Sequence, residues 1–334
     1  MVASVASDGV LEAIDQQLVD GVLAKERRAL AKTITLVEST RYEHHVRARM
    51  VLNKLLPYTG KAIRIGITGV PGAGKSTFIE AFGNWLADRN YKIAVLAIDP
   101  SSAVSGGSIL GDKTRMESFC VREESFVRPS PSGCSLGGVA DKTREAVLVC
   151  EAAGYDVIIV ETVGVGQSEI AVAGMVDIFT LLQLPNAGDD LQAIKKGVVE
   201  IADLIAINKM DIDPTAARVT QNQWKQALSI LRPTLPDWRT PVVGISGLRK
   251  QGIEEYWAEI ERFRQIMTEN GELEKKRRKQ AVSWMWSMIE SGLRTMFNEH
   301  PRVRGELLQV SKQVEAGHMT PGLAAQTLLS YLGN

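Results

Sequence analysis

One nine-residue segment constrains this chain more than any other feature. Gly69–Thr77 reads GVPGAGKST and directly follows the apolar run Ile63–Thr68. The pattern G-x-x-x-x-G-K-[S/T] between a strand and a helix is typical of a phosphate-binding loop, or P-loop. Its glycines let backbone N–H groups turn inward around phosphate, and the helix that follows directs its positive end at the same anion. The residues predicted to bind phosphate are Gly69, Pro71, Gly72, Ala73, Gly74, Lys75, Ser76 and Thr77.

Side chains at the ends of neighbouring apolar runs predict the magnesium and catalytic groups. Lys75 is placed to reach the β- and γ-phosphates, and the Ser76 hydroxyl to ligate Mg²⁺. Asp99 and Glu161 each follow an apolar run, and an acidic residue at such a position beside a P-loop holds the magnesium shell. We therefore expect Ser76, Asp99 and Glu161 to form the metal site.

The segment after Glu161 predicts slow hydrolysis. Glu161-x-x-Gly164 has the spacing of the usual D-x-x-G, so the N–H of Gly164 is expected to meet the γ-phosphate. In Ras-like enzymes a Gln directly after this Gly orients the attacking water. Here Val165 stands in its place and Gln167 comes later. We expect the isolated protein to turn over below ~1 s⁻¹, the lower end for well-equipped phosphoryl-transfer enzymes.

A second loop predicts which base is bound. The apolar run that begins at Leu204 ends in Asn208-Lys209-Met-Asp211. A carboxylate at this spacing accepts two hydrogen bonds from guanine, whereas adenine has no such pair of donors and would leave it unpaired. Asn208 is expected to tie this loop to the P-loop, and the stem of Lys209 to cover the base. A third strand-then-loop segment places Ser246 and Gly247 near the guanine O6.

Strands and helices are predicted to alternate between about residues 60 and 265. This alternation indicates an α/β fold with a mostly parallel sheet, helices on both faces, and the ligand at the carboxyl ends of the strands. The run before it, from Val10 to Leu55, has helical periodicity. We expect an N-terminal helical extension (1–58), a P-loop domain (59–265) and a C-terminal helical arm (266–334). The strands are predicted at 63–68, 93–98, 157–160, 178–184, 204–208 and 242–245.

The C-terminal segment contains an unusual apolar cluster. Six apolar residues leave almost no polar face on their helix: Val282, Trp284, Met285, Trp286, Met288 and Ile289. Such a helix is expected to be buried from more than one side, either against its own domain or in a subunit interface.

Composition limits the other classes of function. The 334-residue chain has a formal net charge of zero, which gives no argument for nucleic acid or an anionic membrane as a partner. Its three cysteines show no C-x-x-C spacing, so we expect neither disulfides nor structural zinc, and a cytoplasmic location fits. No apolar stretch is long enough to span a bilayer.

Four motifs together resemble the methylmalonyl-CoA mutase-associated GTPases, the MeaB/ArgK family. They are Gly69–Thr77, Asp99–Ser102 (DPSS), Glu161–Glu169 (ETVGVGQSE) and Asn208–Asp211 (NKMD). The resemblance covers almost the full chain. It implies binding of GTP and GDP with Mg²⁺, slow GTP hydrolysis, and a homodimer formed through the helical arm around residues 284–297. It also implies a partner, an adenosylcobalamin-dependent methylmalonyl-CoA mutase. The GTPase would gate the loading of the mutase's cofactor and would protect or reactivate the mutase.

The resemblance also assigns residues that spacing alone does not. It implies a further switch at residues 184–195, in which Gln192 and Lys195 respond to the partner and Lys195 stabilises charge in the transition state. It maps three acidic residues to the magnesium and switch network: Asp99, Asp112 and Glu161.

Three other readings stay open at this point. A metal-insertion GTPase would carry a cluster of Cys or His ligands, which this sequence lacks. A small-molecule kinase would also use a P-loop, but has no need of the N-K-x-D segment. A scaffold that holds nucleotide as a structural ligand would hydrolyse it only incidentally.

Overall fold

The computed structural model describes residues 11–99, 116–131, 136–162, 168–185, 196–230, 235 and 237–333. Within these residues, seven strands form one sheet in the order β3-β2-β4-β1-β5-β6-β7, and every pairing between neighbours is parallel. The predicted α/β P-loop fold is therefore confirmed. The strands are β1 Ile63–Gly69, β2 Ile93–Asp99, β3 Ser125–Pro131, β4 Val157–Thr162, β5 Ile178–Gln183, β6 Leu204–Ile207 and β7 Val242–Gly244.

Helices connect and flank these strands. Those that precede the sheet are α1 Ala13–Leu23, α2 Arg27–Glu38 and α3 Tyr42–Leu55, followed by a 3₁₀ turn at Leu56–Tyr58. Those of the central region are α4 Lys75–Ala87, α5 Glu117–Cys120, α6 Leu136–Ala152, α7 Ser168–Ala173, α8 Lys196–Glu200, α9 Pro214–Ile230 and α10 Ile253–Glu269. The C-terminal helices are α11 Glu272–Glu299, α12 Pro301–Glu315 and α13 Pro321–Ser330, with a 3₁₀ turn at Tyr331–Gly333.

Both faces of the sheet are buried, which explains why its strands are continuous apolar runs. Along β2, Leu96 and Ile98 enter a core shared with α2, α3 and α6, whereas Val95 enters a core shared with α4 and α10. Helix α4, which directly follows the P-loop, packs against β1 and β2. The predicted helices on both faces are present.

Strand β3 is absent from the sequence-based prediction. Its residues include Pro129 and Pro131, which argue against a central strand because proline cannot donate to the ladder. The strand forms one edge of the sheet and pairs only with β2, from Ile93↔Ser125 to Asp99↔Pro131. An edge position tolerates both prolines, and neither carries a signal that distinguishes such an edge strand from a loop.

The predicted N-terminal helices are confirmed as α1–α3, which pack on α6. Val22, Leu30, Ile34 and Val51 are fully or almost fully buried in this packing. The domain boundaries at 58/59 and 265/266 stay predictions. Backbone contacts divide the chain into two compact units, one up to Arg277 and the other from Arg278 onward.

A buried ion-pair cluster lies at the amino ends of the strands, opposite the edge that carries the P-loop. Arg277 donates to Asp177 from Nε at 2.7 Å and from Nη2 at 2.6 Å, and also to the carbonyl oxygens of Gly60 and Ala62. Asp177 is completely buried and accepts a third bond from the backbone N–H of Arg64 at 2.8 Å. Burial opposes the charge of Arg277, but its bonds to Asp177 leave its pKa raised. This carboxylate therefore depends on Arg277 for its only opposite charge among the described ion pairs.

The second unit contains a small core of its own. Val310 of α12 packs with Ala324 and Leu328 of α13. The Tyr331 hydroxyl donates to Glu306 at 2.5 Å and joins the two helices. Helix α13 begins at Pro321, and Thr320 caps it by accepting from the N–H of Leu323 at 3.4 Å.

The apolar cluster of α11 is exposed within the single chain. Val282, Met285, Trp286 and Ile289 are 54, 49, 56 and 39% exposed. Which of the two predicted environments covers these four side chains stays a prediction. They recur at spacings of three and four residues, so they form a stripe along one side of the helix.

Candidate functional site

The P-loop is built where β1 meets α4. β1 ends at Gly69 and α4 begins at Lys75, so the loop between them turns tightly above the sheet. Gly72 and Gly74 have φ of 83° and 86°, left-handed values that glycine adopts without strain. A Cβ atom at Gly74 would lie 2.6 Å from Nδ2 of Asn208, so this position also has no room for a side chain.

Lys75 is held against the mouth of the loop. Its Nζ donates to the carbonyl oxygen of Gly69 at 2.8 Å and to that of Val70 at 3.3 Å, and the residue is 8% exposed. The two carbonyl oxygens keep the ammonium group beside the loop whose glycines face the phosphate site. The predicted lysine therefore lies beside the loop, and its contact with a phosphate chain stays a prediction.

Ser76 and Glu161 meet at the carboxyl edge of the sheet. The Ser76 hydroxyl donates to Oε1 of Glu161 at 3.2 Å, and Glu161 is 8% exposed. Beside them, Thr162 Oγ1 donates to Thr68 Oγ1 at 2.7 Å and joins the ends of β4 and β1. This threonine pair was not predicted, although each member is a polar residue at the end of an apolar strand.

Asn208 joins the P-loop to both predicted base loops. Its Nδ2 donates to the carbonyl oxygen of Ala73 at 2.8 Å, and its Oδ1 accepts from the N–H of Gly247 at 3.0 Å. The residue is 2% exposed. A Cβ atom at Gly247 would lie 2.9 Å from Cα of Phe78, so only glycine brings this N–H so close to α4. The predicted tie between the loops is present, and it extends to a third loop.

The remaining base-loop residues surround Asn208. Lys209 has φ of 62°, a left-handed conformation that turns the chain directly after β6. Asp211 is half-buried. Ser246 is completely buried, and its Oγ accepts from the backbone N–H of Arg249 at 3.0 Å. Its side chain therefore shapes the turn, and the adjacent Gly247 supplies the contact to Asn208.

The structure brings only part of the predicted catalytic set together. Asp99 is the last residue of β2, and its neighbour Ile98 pairs with Thr162, so its backbone lies at the same edge as Glu161. The side chain of Asp99 lies outside the described part of the structure. Asp112, Gly164 and Lys195 lie outside the described residues, as does Gln192.

Asn208→Ala should weaken both the domain and its nucleotide binding. The change leaves the carbonyl of Ala73 and the N–H of Gly247 without their partner, and each such buried group costs about 1–3 kcal/mol. We expect a loss of about 2–4 kcal/mol in the free energy of unfolding, measured by urea denaturation, and weaker GDP binding by titration calorimetry. Asn84→Ala is the control, because the bond from Asn84 to Ser118 lies at the surface. Equal stability of the two variants would contradict the bridging role.

Comparison with protein families identifies the chain. Residues 30–302 match the family model described as "Methylmalonyl Co-A mutase-associated GTPase MeaB". The chain belongs to the MeaB family. The resemblance carried by the four sequence motifs is thereby confirmed.

Curated relatives agree with this assignment. A putative GTPase of Caulobacter vibrioides is 52% identical over 97% of this chain and 98% of its own length. GTPase ArgK of Escherichia coli is 50% identical over 79% of this chain and 80% of its own length. The mouse "Methylmalonic aciduria type A homolog, mitochondrial" is 44% identical over 94% of this chain and 80% of its own. This MeaB-family chain is therefore a P-loop GTPase that binds guanine nucleotide.

A solved structure shares the fold over nearly the whole chain. The crystal structure of a LAO/AO transport system kinase superposes with a TM-score of 0.77 and 37% identity, covering 98% of this chain and all of that one. Among the described helices of the MeaB-family chain, none has both the length and the apolar character needed to cross a membrane.

Proposed function

We propose that this GTPase is a chaperone that gates adenosylcobalamin loading of a methylmalonyl-CoA mutase and protects or reactivates that enzyme. The observation that carries the proposal is the match to a family named for its association with this mutase, over residues 30–302. The joined phosphate and base loops support the nucleotide-dependent part of the role. The cysteine pattern supports a cytoplasmic location.

The residues at the sheet edge fit a magnesium ion. The Ser76 hydroxyl and the Glu161 carboxylate lie within hydrogen-bonding distance of each other, and hard oxygen donors of this kind are the ligands that Mg²⁺ prefers. Ser76, Glu161 and, by its place at the end of β2, Asp99 would hold the ion. Bound Mg²⁺ would neutralise charge on the β- and γ-phosphates.

Each residue of the proposed site has a separate role. Lys75 binds the phosphate chain from the mouth of the loop, and Asp211 selects guanine. The place of the water-orienting Gln is taken by Val165, so hydrolysis by the isolated protein is slow. Docking on the mutase selects a switch conformation that aims Lys195 at the γ-phosphate, with Asp112 and Glu161 as the acidic groups of the switch network.

The decisive test is GTP hydrolysis with and without purified methylmalonyl-CoA mutase, with ATP as the control nucleotide. We expect turnover below ~1 s⁻¹ alone, strong stimulation by the mutase, and no comparable use of ATP. Lys195→Ala should lose the stimulation, whereas the adjacent Lys196→Ala should keep it. Binding of GTP without stimulation would reject the mutase as partner. Efficient use of ATP would instead favour a kinase, the activity named for the similar LAO/AO structure.

We also propose that the protein forms a homodimer through α11. The exposed apolar stripe continues through Leu293 and Met296, 57 and 65% exposed, and its positions 282, 289 and 296 are spaced by seven residues. A stripe with this repeat is the pattern by which two helices pack together, and a single chain leaves it in water.

Trp286→Glu should convert the dimer to a monomer, because it places a charge in the middle of the apolar stripe. Sedimentation velocity measures the change. Lys279→Glu on the same helix is the control, since it alters charge before the stripe begins. A wild-type protein that sediments as a monomer, or a Trp286→Glu variant that stays dimeric, would contradict this interface.

A further inference from the structure

A groove on the N-terminal helices has no place in the nucleotide site. It is an open groove of about 880 Å³, bordered by α1, α2, the α2–α3 connection and the first turns of α3, and Arg128 of the edge strand β3 also lines it. The part of α2 that borders it runs from Arg28 to Glu38, about 15 Å at 1.5 Å per residue. The groove is therefore long enough for about four or five residues of extended chain, at 3.3 Å each.

The charge that faces this groove is mainly positive. Arg28, Lys32 and Arg41 line it, are exposed, and form no ion pair within the described part of the chain. Arg28 and Lys32 are one helical turn apart, so they share one face of α2. Two carboxylates line the groove: Glu26 opposes these cations, and Glu38 is paired with Arg128. Arg47 is already paired with Asp15 at 2.7 Å. The excess of cations makes an acidic occupant favourable.

A buried polar pair at the wall of the groove has incomplete hydrogen bonding. Arg128 Nη2 pairs with Oε2 of Glu38 at 2.5 Å and donates to Thr35 Oγ1 at 3.2 Å. The Glu38 side chain is 6% exposed. Its second oxygen, Oε1, and the Nε of Arg128 are buried and have no hydrogen-bond partner in the described structure. Leaving such groups unpaired is costly, so the pair is incomplete without further contacts.

The missing contacts match a peptide better than a simple anion. Glu38 Oε1 requires a donor and Arg128 Nε requires an acceptor, and one residue of an extended chain supplies both, because its own N–H and C=O point to the same side. A phosphate dianion offers no donor and would be repelled by Glu38. We propose that this groove binds an extended, acidic segment of a protein partner. Its carboxylates meet Arg28, Lys32 and Arg41, and the N–H and C=O of one of its residues meet the Glu38–Arg128 pair. The proposal is independent of which protein the GTPase serves.

The probe is a fluorescein-labelled octapeptide of alternating Glu and Ala, measured by fluorescence anisotropy at low salt. We expect saturable binding to the full-length protein, at least tenfold weaker in the double variant R28E/K32E. The matched control is R218E/K225E, which reverses two exposed cations on α9 and should bind the peptide as the wild type does. GDP binding, measured on both variants, verifies that each is folded, because none of the four residues belongs to the nucleotide site.

Four results would overturn the proposal. Equal weakening in the two double variants would show a general charge effect. Equal binding of a peptide with Gln in place of Glu would show that the cations are not used. Displacement of the peptide by tripolyphosphate, added to the same total concentration of negative charge as the peptide, would show a site for small anions. Absence of saturable binding to the wild type counts against the proposal in the same way.

Discussion

Asp211→Asn should lower the affinity for GTP by at least about 100-fold and create affinity for xanthosine triphosphate. In the proposed base site the carboxylate of Asp211 accepts hydrogen bonds from two donors of guanine, and an amide offers a donor in place of one acceptor. A site built for such bonds rejects a mismatched partner by factors of about 10⁴ in favourable cases, because buried polar groups are left unpaired. Xanthine has an oxygen where guanine has its exocyclic amine, so the Asn donor finds an acceptor there.

Titration calorimetry with GDP, GTP and the two xanthosine nucleotides measures this switch. Asp213→Asn is a matched control, because it removes the same charge two residues away. Asp213 accepts from the N–H of Ala216 at 2.9 Å and thereby caps α9. That variant should keep the wild-type preference for guanine and lose about 1 kcal/mol of stability at most. Unchanged GTP affinity in Asp211→Asn would remove Asp211 from the base site.

Arg277→Met should destabilise the protein by about 3–5 kcal/mol, the usual cost of removing one member of a buried ion pair. The completely buried Asp177 would keep the N–H of Arg64 but lose both bonds from the guanidinium. The carbonyl oxygens of Gly60 and Ala62 would lose their donor as well. Urea denaturation, followed by fluorescence, measures the free energy of unfolding.

Lys275→Met provides the comparison on the same helix. Lys275 pairs with Glu272 at 2.9 Å, but its side chain is 75% exposed, and surface pairs contribute little. Its loss should change stability by less than about 0.5 kcal/mol. GDP affinity should be unchanged in both variants, because Asp177 precedes β5 at the amino end of the sheet. A stable Arg277→Met variant would show that water replaces the guanidinium.

The sequence predicts the parts of the fold that local patterns encode. The apolar runs and the glycines of Gly69–Thr77 locate the strands, the P-loop and the edge of the sheet at which the site forms. Strand β3 was not predictable, because its prolines are tolerated only at an edge, and edge position is a property of the whole sheet. The exposed stripe of α11 was ambiguous for a related reason. An apolar helix has the same sequence pattern whether it packs on its own domain or on another chain.

The contacts within the candidate site were likewise predictable only where a short segment of the sequence encodes them. The tie from Asn208 to the P-loop was predicted, because the N-K-x-D segment is a local pattern. Its second bond, to Gly247, and the Thr68–Thr162 pair join residues that are 39 and 94 positions apart. No short segment of the sequence contains both members of either pair. The cluster around Arg277 was missed for the same reason, since its partners come from the starts of two strands, β1 and β5, that are distant from it in sequence.

The Asn208 bridge also sets the order of events while the chain is being synthesised. The phosphate loop leaves the ribosome early, but Asn208 follows Ala73 by 135 residues, and Gly247 follows Asn208 by another 39. A nascent chain that ends before Gly247 therefore carries a complete phosphate motif without the contact that joins it to the base loops. Tight guanine-nucleotide binding during translation would consequently mark the completion of the domain through Gly247 rather than the emergence of its P-loop.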